Sequence, residues 1–579
     1  MSFWEADDKI PITQKSVSIP SSNGLNYSGG QRIVIDVPAT IEYVQPKESY
    51  LKFDFKIALP AGKEPTKLQL DETLGLQSII RDIRIYSGGA GKILLEEYQN
   101  YNVLTNIKYS YETNDVLRAK RSMTEGATCH SVKTRGTCGT TESHKNSIAE
   151  NPYFSSVTTN SSSTWSDGNF LSVKALLPIN TGLFSNSKIL PVLMLEGLTL
   201  DIILENSNMV FRQLDQVRQS TTLANCPIYH STNGSLSAGV PADTARASGT
   251  AADLDTIFLA SDNMITSVEN VPFCVGESIA FSKLVDGVVV TPTAPMVISE
   301  ISACTTNNLI QLDFASSGQV ATSITGQGTY VVTSNAVVGE TSYDATYVVS
   351  NMELVLQQLE MPQGYTAKMR AMMKEGGSMN YDFLSFTNYK YSQLSSDTVA
   401  NIRLPLNMSR AKAILCCPVD SSTINSAARI AGVGTYETYK KAGTPDNEVL
   451  SDKTGLVGIV DNLQDYQFFY DGKLNPSRKV SCSRTATKGS ISQQPIIELE
   501  KALSMSEIIP YSFMDFQKNL VLGRALSLHN GVYDTRGKDF NLQVEYTGAV
   551  APTTNKLWNS FVAHIRRIEF RGDGISLQV

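Results

Sequence analysis

The sequence predicts an all-β protein, built as antiparallel sandwiches or barrels in two successive halves. Three observations lead there. Apolar and polar residues alternate with period two in several separate stretches, the pattern of a strand with one buried face. Loops rich in Gly, Ser, Asn and Pro join these stretches. The order of elements in the first part of the chain recurs in the second.

The alternation is clearest over residues 50–59, where Leu51, Phe53, Phe55, Ile57 and Leu59 share one face and Lys52, Asp54 and Lys56 the other. Over 198–205, Leu198, Leu200, Ile202 and Leu204 are expected to point inward and Thr199, Asp201 and Glu205 outward. Over 540–546, Phe540, Leu542, Val544 and Tyr546 oppose Asn541, Gln543 and Glu545. Weaker strand patterns occur at 32–37, 82–86, 347–356, 381–391, 411–417, 466–470 and 561–570. Helical patterns are few. Residues 93–109 place Leu94, Tyr98, Tyr101, Leu104 and Ile107 on one helix face. Residues 495–505 open on Pro495, where a helix loses no amide donor. Residues 365–374 precede Gly376-Gly377, a helix stop.

Strand, helix, penultimate strand and closing strand follow one another in both halves, in order though not in residue identity. The first half is interrupted at about 207–345 by a stretch rich in Ser, Thr, Ala and Gly, with β-like pieces at 287–290 and 329–332. It reads as a β-rich insertion in a loop, which a sandwich accepts without disturbing its core.

Composition narrows the function. The 579 residues are 41% hydrophobic, enough for large cores, which excludes wholesale disorder. Lys plus Arg number 49 and Asp plus Glu 56, a formal charge of 49 − 56 = −7, which argues against a protein devoted to neutralising phosphates. Charged residues are 18%, below the roughly 25% of an average soluble chain, as expected when surface is hidden in an assembly. Residues 1–8 are acidic, unlike a secretory signal, and the most apolar stretch, 189–204, contains Glu196 and Asp201, unlike a spanning helix. The expectation is a soluble chain folded in a reducing compartment. Its dispersed cysteines at 129, 138, 226, 274, 304, 416, 417 and 482 read as free thiols.

The motifs that carry chemistry elsewhere are incomplete here. Residues 87–92 (SGGAGK) resemble a phosphate loop, but Tyr86 stands where the first glycine belongs and Ile93 where Ser or Thr belongs, so a glycine-rich turn is expected. Cys129, His130, Cys138 and His144 lack zinc-site spacing. The five histidines, His130, His144, His230, His529 and His564, lie in no nucleophile motif. The carboxylate pairs Glu96-Glu97 and Asp7-Asp8 read as solvated or cap-like residues. Two basic groups stand out, Arg118, Lys120 and Arg121, and His564, Arg566, Arg567 and Arg571. Without interleaved exposed aromatics they read as inter-subunit pairing or a solvated face rather than a nucleic-acid or membrane site. No catalytic, cofactor or metal residue is assigned.

Residues 50–55 (YLKFDF), 76–89 (LQSIIRDIRIYSGG) running into 95–102 (LEEYQNYN), Leu177-Pro178, Gly182-Leu183-Phe184, Leu190-Pro191 and 198–205 together resemble the double jelly-roll major capsid proteins of double-stranded DNA viruses, most like those of virophages and Polinton-like viruses. The likeness is strongest over 30–206 and does not extend to the insertion. It implies two consecutive eight-stranded jelly rolls with a few short helices, three chains forming a pseudo-hexameric capsomer, and capsomers tiling an icosahedral virion shell assembled in the infected cell around a double-stranded DNA genome. The expected layout is an N-terminal arm over 1–30, a first roll over 31–360 with its insertion, a linker helix over 361–377 and a second roll over 378–579. The implied partners are further copies of the chain, penton and minor capsid proteins, and an inner membrane or the genome on the inner face, with no small-molecule substrate, no cofactor and no enzymatic activity. The insertion is expected to form part of an outward tower. Three other readings are open: a jelly-roll carbohydrate-binding or spike protein, which would cluster exposed aromatics, disfavoured by the wide separation of Trp4, Trp165 and Trp558; a β-sandwich glycoside hydrolase, which needs two convergent carboxylates; and a minor capsid or penton protein, which usually has a single jelly roll and so fits 579 residues in two β halves less well.

Overall fold

The structure is a computed structural model that describes residues 13–58, 67–126, 173–214, the strands between 222 and 334, 346–420, 456–482 and 493–578, apart from short breaks within these spans. In chain order the first half contains β1 (Thr13–Pro20), β2 (Asn26–Ser28), β3 (Arg32–Val37), β4 (Tyr43–Ala58), β5 (Lys67–Leu70), β6 (Ile80–Ser87), β7 (Leu94–Tyr98), helices α1 (Tyr101–Glu112) and α2 (Asp115–Thr124), β8 (Val173–Pro178) and β9 (Leu198–Leu204). The insertion supplies β10 (Phe211–Leu214), which pairs with β5. It also supplies a seven-stranded antiparallel sheet of β11 (Thr222–Tyr229), β12 (Thr256–Ala260), β13 (Ser278–Val285), β14 (Val288–Val289), β15 (Met296–Cys304), β16 (Leu309–Phe314) and β17 (Gly328–Ser334). The chain then returns as β18 (Thr346–Glu360). Helix α3 (Tyr365–Lys374) leads to β19 (Met379–Gln393), β20 (Val399–Leu404), β21 (Ala411–Asp420), β22 (Leu463–Tyr470), β23 (Lys473–Ser481), helix α4 (Gln494–Met505), β24 (Leu522–Ala525), β25 (Phe540–Tyr546), β26 (Lys556–Arg571) and β27 (Gly574–Gln578).

The strand order identifies the architecture. In the first half one sheet runs β1-β18-β4-β8 and the other β3-β9-β6-β7; in the second half they run β19-β26-β21-β24 and β20-β25-β22-β23. Counting the eight principal strands of each half along the chain, both halves have a sheet ordered first, eighth, third, sixth and a sheet ordered second, seventh, fourth, fifth. Two antiparallel four-stranded sheets joined in that order form a jelly roll of two Greek keys. The chain is therefore two jelly rolls in tandem, with a helix between the fifth and sixth strands of each and the insertion between the seventh and eighth strands of the first.

Alternation creates these strands, and burial confirms its phase. Leu51, Phe53 and Phe55 of one sheet meet Ile33, Ile35, Ile83, Ile85, Leu200 and Ile202 of the other within the core of the first roll. In β25 every apolar residue is buried and every polar residue between them only half so. β9 departs from its expected polar face: Thr199 and Asp201 are buried because this strand lies between β3 and β6. Their polar atoms are matched, Arg32 Nε donating to Asp201 Oδ1 at 2.6 Å and Thr199 Oγ1 to Asp36 Oδ1 at 2.8 Å.

Two further expectations are corrected. The helix expected over 93–109 begins only at Tyr101; Leu94–Tyr98 is a strand paired with β6, and Asn100, at φ 53°, breaks the chain between the two. The arm expected over 1–30 is, from Thr13 onward, part of the first roll, because β1 pairs along its whole length with β18. Helices α3 and α4 form where expected, and Gly376, at φ 87°, ends the last turn after α3.

Register gives the rolls a common polarity. Thr346 of β18 pairs with Ala58 at the end where the insertion and the 127–172 segment join the first roll, while Glu360 pairs with Thr13 at the other end. In the second roll Lys556 pairs with Asp420 at the end where the 421–455 segment leaves, while Phe570 pairs with Met379 and Arg571 with Gly574 at the other. The three long connections thus leave from one end of the paired rolls. Thr13, Gln578 and α3 lie toward the opposite end.

Trp558 is wholly buried in the second roll, its Nε1 donating to Gln393 Oε1 at 2.7 Å. Trp558→Ala should lower unfolding stability by about 3–5 kcal/mol, read by chemical denaturation.

Candidate functional site

A run of buried polar side chains lies along the seam where the two rolls lie side by side. From the first roll come β7, α1 and the turn after β8; from the second come β19, β26 and the segment leading into β24. One hydrophobic cluster takes in side chains of both rolls, so the seam is continuous with the two cores.

Its centre is Glu96. Alternation in β7 turns this carboxylate inward, and it is wholly buried. It accepts backbone N–H bonds from Gly182 and Leu183, both at 3.0 Å, at the start of the helical turn Gly182–Ser185. Burial raises its pKa, while the Leu183 N–H, the Ser385 side chain from the second roll and the Arg566 charge oppose that shift. Arg566 crosses the seam to donate to the Leu95 carbonyl at 2.7 Å. Gly182 sits so close to β19 that a Cβ there would lie 1.7 Å from the Leu384 carbonyl oxygen. Asn186 and Lys188 donate to the Asp382 carbonyl at 3.0 and 3.1 Å.

On either side of this centre, α1 and the Asn100 turn complete the joint. Phe386 packs against Tyr98 with ring centroids 6.3 Å apart, and Lys108 Nζ stands 4.9 Å from the Phe386 ring centroid. Burial pushes the Lys108 ammonium down to about 8, and its Nζ donates to the Asn180 carbonyl at 3.1 Å. Asn519 Nδ2 donates to Asn106 Oδ1 and Ser110 Oγ, both at 3.0 Å, and its carbonyl accepts from Tyr111 Oη at 2.7 Å. Toward the end bearing the long connections, Asn559 Oδ1 accepts from Asn100 Nδ2 at 2.7 Å and Asn388 Nδ2 at 3.0 Å. A joint of this kind is geometrically strict, because each buried donor or acceptor loses its partner if the rolls slide.

The residues singled out in the sequence fall as follows. Glu96 is buried and holds the seam, whereas Glu97 faces Arg84 Nε at 2.9 Å. Arg566 joins the two rolls, Arg567 makes a bidentate pair with Asp382 at 2.6 and 2.9 Å, and Arg571 pairs with Glu569. His564 is buried, its Nδ1 3.1 Å from the Val562 carbonyl and its pKa lowered by burial to about 4, so it stays neutral at pH 7. Ser87 ends β6 and Gly88 follows it in the connection to β7, not ahead of a helix; Gly88 donates to the Leu195 and Gly197 carbonyls, and its missing Cβ would meet Glu196 O at 2.0 Å. Arg121 stacks 3.4 Å from the Tyr109 ring centroid and lies 4.0 Å from Glu125, while Lys120 is exposed. Cys416, Cys417 and Cys482 are buried free thiols. Among the described residues no group of His, Cys, Asp and Glu could hold a metal ion. Cys129, His130, Cys138, His144, His230, His529, Trp4, Trp165 and the Arg118 side chain lie outside the described residues.

Two measurements probe this chemistry. Gly182→Ala should destabilise the protein by about 1–3 kcal/mol or more and split its denaturant unfolding into two transitions, because the new methyl group pries the rolls apart. Glu125 accepts from Tyr109 Oη at 3.0 Å, and burial pushes its carboxyl up to about 7 from 4.5. Its protonated form is favoured by folding, so its stabilising contribution is complete below pH 4.5 and is lost as pH rises through about 7. Glu125→Gln should flatten the decline in melting temperature across that window.

No protein-family model matches this sequence. No curated protein matches it either. Among solved structures the chain is similar to the Faustovirus major capsid protein, at 8% identity and a TM-score of 0.47, over 98% of this chain and 92% of that one. It is similar to a chain of the PBCV-1 virus capsid at 10% identity and a TM-score of 0.42, over the whole of both chains. It is similar to the mavirus major capsid protein at 8% identity and a TM-score of 0.35, over 97% of this chain and 90% of that one.

Proposed function

We propose that this protein is a major capsid protein that acts by self-assembly into an icosahedral virion shell. The observation that carries the reading is the doubled jelly roll, locked side by side in one orientation by the Glu96 seam. Two similar lobes per chain let three chains close into a ring of six lobes, and a six-lobed ring tiles a surface. The common polarity of the rolls gives such a ring two distinct faces. The long connections, the insertion among them, form the outward face, and the termini with α3 form the inward face toward a membrane or the genome. Penton and minor capsid proteins would complete the shell. Buried apolar area at about 25 cal/mol per Å² drives ring closure, and smaller contacts between rings leave room for correction of errors. The work of such a protein is association, which needs no catalytic residue and no cofactor.

Native mass and negative-stain imaging of the same purified species test the reading. The expected species weighs 3 × 63.1 = 189.3 kDa and has a hexagonal outline, alone or joined into shells. A chain that stays at 63.1 kDa at every concentration would overturn it.

A further inference from the structure

The cores of the two rolls differ in chemistry where their fourth and sixth strands approach each other. In the first roll, Ile83 of β6 is wholly buried and pairs with Ile202, the fifth residue of β9, while Ser87 pairs with Leu198, the first. In the second roll the matching positions of β22 hold Tyr466, paired with Val544, and Tyr470, paired with Phe540. The sixth strand differs in the same sense. β8 gives Ala175 and Leu177 to the first core, whereas β24 carries Arg524 two residues after Leu522. The first roll shows that a jelly roll of this chain closes without large polar groups at these positions. Their burial in the second roll is costly unless each is hydrogen-bonded.

Arg524 spans the edge of the sandwich beneath α4. Its Nη1 donates to Glu498 of α4 and its Nη2 to Asn475 Oδ1 of β23, the edge strand of the other sheet. Its Nε is buried with no hydrogen-bond partner among the described residues, and so are Tyr466 Oη and Tyr470 Oη. The two tyrosines are 1% and 7% exposed. Both lie within range of the Arg524 charge and of the Cys416 thiol, and burial keeps both phenols protonated at neutral pH. Three buried donors are thus gathered in one place, and buried donors nearly always have an acceptor. The acceptors around them are engaged: Glu498 Oε1 accepts from Lys501 Nζ at 3.0 Å, Glu498 Oε2 from Arg524, and Asn475 Oδ1 from Arg524. Arg524 and Lys501 set against Glu498 leave one positive charge in excess.

We infer that the second roll binds one small inorganic anion, of the halide class, between β22 and β24 beneath α4, held by Tyr466 Oη, Tyr470 Oη and Arg524 Nε. A spherical anion accepts hydrogen bonds from several directions and has no hydrogen of its own to place. A water molecule at the same point would need acceptors for its two hydrogens, and the neighbouring ones are taken. The excess positive charge favours the anion further, since a buried charge is stable only when it is matched. Hydrogen bonds to an ionised acceptor are also the stronger kind. The bound ion would link the fourth and sixth strands across the sandwich, so the stability of the second roll would follow the halide concentration. The site lies within one chain and stands whether or not the chain builds a shell.

Replacing gluconate by chloride at constant ionic strength tests the site on the full chain. The melting temperature of the unmodified protein should climb by an equal step for each tenfold of chloride above the dissociation constant, and bromide should act as chloride does. The variant carrying Tyr466→Phe and Tyr470→Phe removes two of the three donors and keeps the ring volumes. Its melting temperature should be the same in chloride and in gluconate. Crystals of the unmodified protein grown in bromide give a second readout that needs no variant: an anomalous peak should lie within hydrogen-bond distance of Tyr466 Oη, Tyr470 Oη and Arg524 Nε. Equal melting of the unmodified protein in both salts would overturn the proposal, as would a double variant that keeps the chloride response. So would a peak at the site with no anomalous signal, which is a water, or bromide found at lattice contacts alone, which is an adventitious ion only.

Discussion

The close approach of Gly182 to the backbone of β19 is the constraint on which the arrangement of the rolls depends. A single hydrogen in place of a side chain lets the turn after β8 rest on the Leu384 carbonyl. That proximity places the Gly182 and Leu183 amides where Glu96 can bind both. A buried carboxylate is costly unless it is fully hydrogen-bonded, so the pair of amides and the crossing Arg566 are needed to offset its burial. Apolar contact alone would let the rolls slide; directed bonds set one register between them. Together with Asn519 and Asn559 at the flanks, Glu96 ties the two rolls to each other along the seam.

Much of the fold is legible in the sequence, and the reason is local. Where a strand lies with one face on a core, its alternation survives in the chain, as in β4 and β25. The duplicated order of elements is legible too, since it needs only the sequence of strand and helix signals. What escapes is strand structure maintained by pairing rather than by a buried face. β1 exposes most of its residues and carries little alternation, so it reads as an arm until β18 is seen beside it. β23, with its lysines and Pro476, has the polar character expected of an edge strand. β7 followed by α1 carries apolar residues in a spacing that fits one long helix, and only the pairing with β6 separates them.

The seam is less legible than either roll. Glu96 looks like one of two neighbouring solvated acids, and its amide partners lie 86 and 87 residues away. Asn519 finds its partners more than 400 residues away. No local pattern encodes such pairs. The one usable hint is phase: in β7, Glu96 shares a face with the buried Tyr98 and pairs with Ile85 of β6, where a charge needs an explanation. Low overall charge fits hidden surface without saying where it lies.

The shared polarity of the rolls also bears on what this chain can carry. Both ends of the described chain, at Thr13 and Gln578, lie beside α3, far along the strands from the connections that interrupt them. A peptide fused to a terminus and a peptide grafted into the 207–345 insertion would therefore emerge on opposite sides of the same scaffold. On the proposed shell, such a pair of grafts would show one sequence to the surroundings and tether a different cargo within, with neither graft crossing the strands that hold the rolls together.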